Sequence, residues 1–176
     1  MLKLRWIAVL LVLCIAPLLS GQRDQTETLT DAQQQAIAEA GIDPGARIDL
    51  YTKYINERAD TIKRLIPRSE AARDRRIDSE LQAFSSLVDE LASNLDEYGE
   101  RKADLRKALK PLNESIARWQ SLLHNLPNDP VFEISRNDAS DAVNDLAPQV
   151  KQLTTDQEAY FKERKDAKGQ QREEPQ

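Results

Sequence analysis

The sequence predicts an all-α protein, an antiparallel bundle of about four long helices with coiled-coil-like seams, preceded by a short N-terminal helix. The main observation is a stripe of apolar residues that recur at alternating steps of four and three between Ile77 and Leu126. A mean spacing of about 3.5 residues keeps one side of a helix against a partner helix and does not suit a strand. The stripe consists of Ile77, Leu81, Phe84, Val88, Leu91, Leu95, Tyr98, Leu105, Leu109, Leu112, Ile116, Trp119, Leu123 and Leu126.

Two further observations support helices on either side of this stripe. Helix-start signals precede it at Thr30 and at Asp43, and the same apolar spacing returns after Asp138. Both signals are local, since a start depends on one side chain that accepts a backbone N–H. The predicted elements therefore cover most of the chain after its first residues.

The short N-terminal helix is predicted from Asp31 to Ala40. Thr30 and Gln33 have the spacing of a capping box, in which each side chain accepts a hydrogen bond from the backbone of the other. Gly41 supplies a stop, because glycine readily adopts the left-handed conformation that ends many helices. The helix contains few apolar residues, so we expect it to dock on the bundle rather than to form part of it.

The second helix is predicted to begin at Pro44 and to end at Ile66. Asp43 provides a carboxylate at the N-cap. Proline suits the first helical position because a backbone N–H, which proline lacks, would have no partner within the helix there. Pro67 cannot continue the helix. One face is apolar and consists of Ile48, Tyr51, Ile55, Ile62 and Leu65.

The long stripe is compatible with two layouts. The third and fourth helices could be one continuous helix, kinked at Pro111, which would make a rod of roughly 75 Å. Alternatively, a turn near Gly99 and the charged run after it would divide the stripe into two helices of similar length. The second layout matches a four-helix bundle.

The last helix is predicted to follow an interruption from Asn125 to Asn137, where Pro127 and Pro130 mark turns. Asn137 or Asp138 can cap it, and Pro148 predicts a kink. Its buried face consists of Ala139, Val143, Leu146, Val150, Leu153 and Tyr160 or Phe161. Residues 166–176 contain almost no apolar side chain and are predicted to be a disordered tail. Residues 21–165 then form one helical domain.

Residues 1–20 have the pattern of a secretory signal peptide. Lys3 and Arg5 precede an apolar run from Trp6 to Leu19, and Ser20 is a small residue at the expected cut. The run is shorter than the roughly 20 residues that span a bilayer. We therefore expect a secreted or periplasmic protein, with an uncleaved N-terminal membrane anchor as the alternative.

The composition of the mature chain excludes some functions. Loss of Lys3 and Arg5 makes the chain more acidic than the net charge of −5 of the full sequence, and nucleic-acid binding requires positive surface. Cys14 is the only cysteine and leaves with the signal peptide. We expect no disulfide and no nucleic-acid partner.

No catalytic or cofactor-binding pattern is present in the sequence. His124 is the only histidine and has no glutamate three residues before it, so neither a di-iron nor a zinc pattern is met. Glycine-rich phosphate loops are also missing. We predict that the protein is not an enzyme and has no cofactor. Carboxylates between Asp138 and Asp145 leave calcium binding as an alternative.

Two segments are candidate interaction sites. The first, which we call the basic tip, joins the second and third helices and contains only Glu70 and Asp74 as counter-charges. It consists of Lys63, Arg64, Arg68, Arg73, Arg75 and Arg76. The second, the hydrophobic hook, consists of Val131, Phe132 and Ile134. If exposed, the hook would bind a partner; we expect it instead to fold back and plug one end of the bundle.

These observations predict a non-enzymatic extracytoplasmic interaction protein, either a scaffold, an adaptor or a chaperone-like module. Its expected partner is a protein of the cell envelope or the secreted space. Peripheral contact of the basic tip with anionic lipid and formation of a homo-oligomer are compatible with the same features. The alternative function is a helical bundle that binds a small molecule or calcium.

Overall fold

The computed structural model describes residues 28–173 except residue 102, with side chains up to Lys165. This part of the chain contains α-helices and no β-strand, which confirms the predicted fold class. The helices are α1 (Asp31–Glu39), α2 (Pro44–Leu65), α3 (Arg73–Glu100), α4 (Arg106–His124) and α5 (Glu133–Glu173). The predicted signal peptide lies outside the described residues.

The first two helices begin and end close to the predicted positions. Thr30 and Gln33 form the capping box, with N–H to side-chain oxygen distances of 3.0 and 3.3 Å. Gly41 has a φ of +58°, as expected for a left-handed helix stop. At the start of α2, the Asp43 carboxylate accepts a hydrogen bond from the backbone N–H of Gly45 at 2.9 Å.

The long apolar stripe is divided between two helices, so the continuous-helix layout is wrong. The break lies at residues 101–105 rather than at Gly99, which is inside α3. Gly99 has a packing role, because a Cβ at this position would lie 3.2 Å from Cδ1 of Leu153 on α5. Pro111 and Pro148 both lie inside helices and end neither of them.

The last helix begins earlier than predicted, at Glu133 instead of after Asn137. Its first turn forms because the backbone carbonyl of Phe132 accepts a hydrogen bond from the N–H of Arg136 at 2.9 Å. Asp129 prepares this turn, since its Oδ1 accepts the N–H of Val131 at 2.9 Å. At the other end α5 continues to Glu173 and so overlaps the predicted tail, of which residues 174–176 lie outside the described part.

Four helices form a ring in the order α2, α3, α5, α4, and α1 packs on α2 alone. Contacts between side chains give the directions of the neighbours. They are Tyr51–Glu90 and Arg58–Glu80 between α2 and α3, Gln120–Asn144 and Asn113–Thr154 between α4 and α5, and Asp78–Ser135 and Ala92–Gln149 between α3 and α5. Consecutive helices are antiparallel as predicted, but the neighbours α3 and α5 are parallel, and consequently so are α2 and α4.

This order places α3 and α4 diagonally across the bundle. Their largest fully buried side chains meet inside the bundle, where the rings of Phe84 and Trp119 pack edge to face with centroids 5.8 Å apart. The indole N–H of Trp119 donates to Oδ1 of Asn56 on α2 at 2.9 Å. Because Phe84 and Trp119 are almost fully buried, this pair links the two diagonal helices directly.

A buried glutamine holds the connection between α3 and α4 as it crosses the diagonal. Gln157 on α5 is 4% exposed, and its Oε1 accepts the backbone N–H of Leu105 at 3.0 Å. Its Nε2 donates to the backbone carbonyl of Ala103 at 2.8 Å. One side chain thus satisfies two backbone groups that no helix satisfies.

We expect the variant Gln157→Leu to lower the free energy of unfolding by about 1–3 kcal/mol, because it keeps the side-chain volume but leaves the buried N–H of Leu105 unpaired. Urea denaturation followed by circular dichroism would measure the change. Gln152→Leu is the matched control, since Gln152 is exposed and bonds only Asp156. Equal losses in both variants would contradict this role of Gln157.

Candidate functional site

The basic tip and the hydrophobic hook lie at the same end of the bundle. Because α2 and α4 end where α3 and α5 begin, the connections 66–72 and 125–132 are neighbours in space. The hydroxyl of Ser135 donates to Oδ1 of Asp78 at 2.6 Å and joins the first turns of α3 and α5. We call this surface, formed by the basic tip and residues 131–134, the basic end.

Four of the six cations of the basic tip are ion-paired with carboxylates that are near them in the sequence. The pairs are Lys63–Asp60 at 3.3 Å, Arg68–Glu70 at 3.0 Å, Arg76–Glu70 at 3.0 Å and Arg73–Asp74, with Nε at 2.6 Å from Oδ1. Most of these side chains are exposed, so each pair contributes at most about 1 kcal/mol to stability. Their effect is to order the connection and to neutralise much of its charge.

Two arginines of the basic tip retain an unneutralised charge. Arg64 donates to the hydroxyl of Thr61 at 2.8 Å and has no carboxylate partner among the described residues. Arg75 is exposed and forms no hydrogen bond or ion pair in the described part of the chain. Since Arg75 precedes Asp78 by one helical turn, it lies on the side of α3 that faces the start of α5.

The hydrophobic hook is divided between the core and the surface. Phe132 is fully buried and plugs the end of the bundle, whereas Val131 is 50% exposed and Ile134 is 75% exposed. The expectation that the whole segment folds inward is therefore correct only for Phe132. The physical reason is that Val131 and Phe132 lie in the turn that leads into α5, whereas Ile134 lies in the first turn of the helix, so the three side chains point in different directions.

His124 lies exposed in the last turn of α4. The groove beside it is lined by Gln120, Leu123, Ser140 and Asn144. These residues offer amide and hydroxyl groups, and the lining contains no carboxylate that would orient the imidazole ring.

The aspartates of α5 that suggested a calcium site are spread along the helix. Asp138, Asp141 and Asp145 are all exposed. Within the described residues, no three His, Cys, Asp or Glu side chains come together in an arrangement that could hold a metal ion.

The parallel pair α3 and α5 forms an acidic face that our sequence analysis missed. Asp89 on α3 is close enough to Asp145 on α5 for its pKa to be raised, first by partial burial and then by the charge of Asp145. Between residues 77 and 100, and again between 137 and 150, the sequence contains no lysine or arginine. The lack of lysine and arginine in these two segments is the sequence feature that indicates the acidic face. The two segments form one surface, however, only because α3 packs beside α5.

The opposite side of the bundle has the reverse charge. The helix α4 contains Glu114 as its only acidic residue, together with Arg106, Lys107, Lys110 and Arg118. Because α4 lies diagonally across the bundle from α3, its basic side chains are on the side of the bundle opposite the acidic side chains of α3.

Comparison with known proteins gives no match, whether the chain is compared with protein-family models, with curated proteins or with solved structures. Among residues 28–173, apart from residue 102, no helix has the length and apolar character required to cross a membrane.

The variant Asp89→Asn is expected to raise the free energy of unfolding at pH 7 by about 0.5 kcal/mol, because it removes one of two facing negative charges. A carboxyl group whose pKa is raised by folding favours the folded state only when it is protonated. The advantage of the variant should therefore disappear as the pH falls through the ordinary value of 3.8. Urea denaturation at pH 7 and at a pH below 3.8 would test this, with Asp141→Asn as the control. A higher stability of Asp89→Asn that persists at the lower pH would contradict the prediction.

Proposed function

We propose that this protein is a non-enzymatic helical adaptor of the cell envelope or the secreted space, and that it binds an acidic partner protein through its basic end. The observation that carries the proposal is that the unneutralised arginines Arg64 and Arg75 lie at the same end of the bundle as the exposed apolar residues Val131 and Ile134. Arginine beside exposed aliphatic side chains is typical of protein interfaces, where apolar contacts supply affinity and arginine pairs with carboxylates.

The construction of the basic end supports this function. Its ion pairs order the connection between α2 and α3, and the buried ring of Phe132 anchors the connection before α5. A surface that is ordered before binding loses less conformational entropy when the partner arrives. Exposed Ile134, on the first turn of a helix, is then presented in a defined position.

The partner should have carboxylates around a small apolar depression. Burial of Val131 and Ile134 would contribute up to about 1.5–3 kcal/mol for each side chain, depending on how much of it the partner covers. Pairing of Arg64 and Arg75 with carboxylates would accelerate association and make it sensitive to salt. These two contributions define an interface with an apolar centre and a charged rim.

Export is the second part of the proposal. It is supported by residues 1–20, with their positive start, apolar run and small residue at the predicted cut. An exported adaptor would meet its partner outside the cytoplasm.

The test is partner capture from intact cells of the native organism that express the tagged full-length chain, followed by crosslinking, purification and mass spectrometry. The double variant Arg64→Glu/Arg75→Glu reverses the unneutralised charges of the basic end. The matched control Lys107→Glu/Lys110→Glu changes the net charge equally on exposed positions of α4. Circular dichroism verifies that both variants are folded.

We expect one acidic protein to be recovered with the wild-type chain and the control, and at least about tenfold less of it with the basic-end variant. High salt during crosslinking should also reduce recovery. Equal recovery with the two double variants, or capture of this chain alone, would overturn the assignment of the basic end as the binding surface.

A further inference from the structure

A cleft of about 650 Å³ lies between α1 and the pair α2 and α3, far from the basic end. Its apolar wall is formed by Leu29 and Ile37, from the segment before α1 and from α1 itself. Its polar wall is formed by Arg47 and Tyr51 on α2 and by Glu90 on α3. Clefts of about 300–1,000 Å³ with apolar walls and a few polar groups are the usual form of small-molecule sites.

Arg47 is the unexplained group in this cleft. Its Nε is buried and has no hydrogen-bond partner, and no ion pair joins its guanidinium to another described residue. Buried donors are rarely left unpaired, because the missing bond costs about 1–3 kcal/mol. Because Nε is closed off from the cleft, a ligand would contact the two terminal amino groups of Arg47, which can donate two parallel N–H bonds to one carboxylate.

Glu90 provides the opposite charge on the same wall. One of its oxygens, Oε1, accepts a short hydrogen bond from the hydroxyl of Tyr51, whereas Oε2 accepts none from the described residues. Burial, this hydrogen bond and the charge of Glu90 raise the pKa of Tyr51 to about 12, so the hydroxyl remains a donor at neutral pH. The hydrogen bond from Tyr51 orients the Glu90 carboxylate and leaves Oε2 to accept a hydrogen bond from another donor.

We propose that this cleft binds a free aliphatic amino acid. The carboxylate of the ligand would pair with Arg47, its ammonium group with Oε2 of Glu90, and its side chain would lie against Leu29 and Ile37. A simple anion would be repelled by Glu90 and a simple amine by Arg47, so only a zwitterion satisfies both charges of the site. This ligand is independent of the partner proposed for the basic end.

The test uses the purified full chain with leucine, isoleucine, valine and methionine, each measured by thermal unfolding and by isothermal titration calorimetry. Two leucine analogues separate the two charges: 4-methylpentanoate lacks the ammonium group, and 3-methylbutylamine lacks the carboxylate. We expect at least one amino acid to raise the unfolding temperature by an amount that increases with the logarithm of its concentration above Kd, and both analogues of leucine to bind at least about tenfold more weakly than leucine.

The variants Arg47→Gln and Glu90→Gln should each abolish this rise, and Arg47→Lys should weaken binding because it keeps the charge but loses the planar fork. Lys110→Gln, which removes an exposed charge on α4, is the matched control and should bind as the wild type does. Circular dichroism of the unliganded variants separates loss of binding from loss of folding.

Three results would overturn the proposal: no amino acid binds, Arg47→Gln binds as well as the wild type, or 4-methylpentanoate binds as tightly as leucine. Partner capture by the basic end should be unaffected by Arg47→Gln, so failure of either proposal can be recognised without the other.

Discussion

The arrangement of the bundle depends on the diagonal crossing between α3 and α4, where Gln157 holds the backbone through two hydrogen bonds. These bonds hold residues 103–105 as the chain crosses the diagonal, and that crossing determines the ring order α2, α3, α5, α4. If α4 instead followed α3 as its neighbour, every adjacent pair would be antiparallel, as in a simple up-and-down bundle. Because consecutive helices alternate in direction, α3 and α5 start at the same end. The crossing makes them neighbours, so the basic tip lies beside residues 131–134. The candidate interaction surface thus depends on how the chain crosses at the opposite end of the bundle.

The same ring order has an electrostatic cost. It places the acidic helix α3 beside the acidic segment of α5, where Asp89 faces Asp145, and it leaves the basic helix α4 on the other side. Facing surface charges cost tenths of a kcal/mol, whereas each buried leucine or isoleucine contributes roughly 1.5–3 kcal/mol. Burial of the apolar seams therefore determines which helices are neighbours. The separation of acidic and basic helices is a consequence of that order. A molecule with one acidic and one basic side is well suited to orient charged partners as they approach.

The helix α1 has a different relation to the fold. It contacts α2 alone and buries little more than Leu29 and Ile37, so it covers the bundle without joining its core. The space beneath it retains Arg47 and Glu90, two charges that a well-packed apolar interface would not tolerate. Arg47 and Arg64 are separated by roughly 25 Å along α2. The ligand cleft and the basic end can therefore be tested, and can act, independently.

The features that depend on local physics can be predicted from the sequence. The capping box at Thr30, the Asp43 cap and the left-handed Gly41 all act within one helical turn, and the apolar spacing of residues such as Leu91 and Val143 identifies buried faces from a helix alone. Packing between distant segments sets the break of the stripe at residues 101–105, the start of α5 at Glu133, and the burial of Phe132 beside an exposed Ile134. It also determines which helices are parallel, and therefore which charges share a face or an end. The reason is that these features depend on contacts between residues far apart in the chain, such as Gln157 with Leu105 and Ser135 with Asp78, and apolar periodicity is the same whichever helix becomes the neighbour.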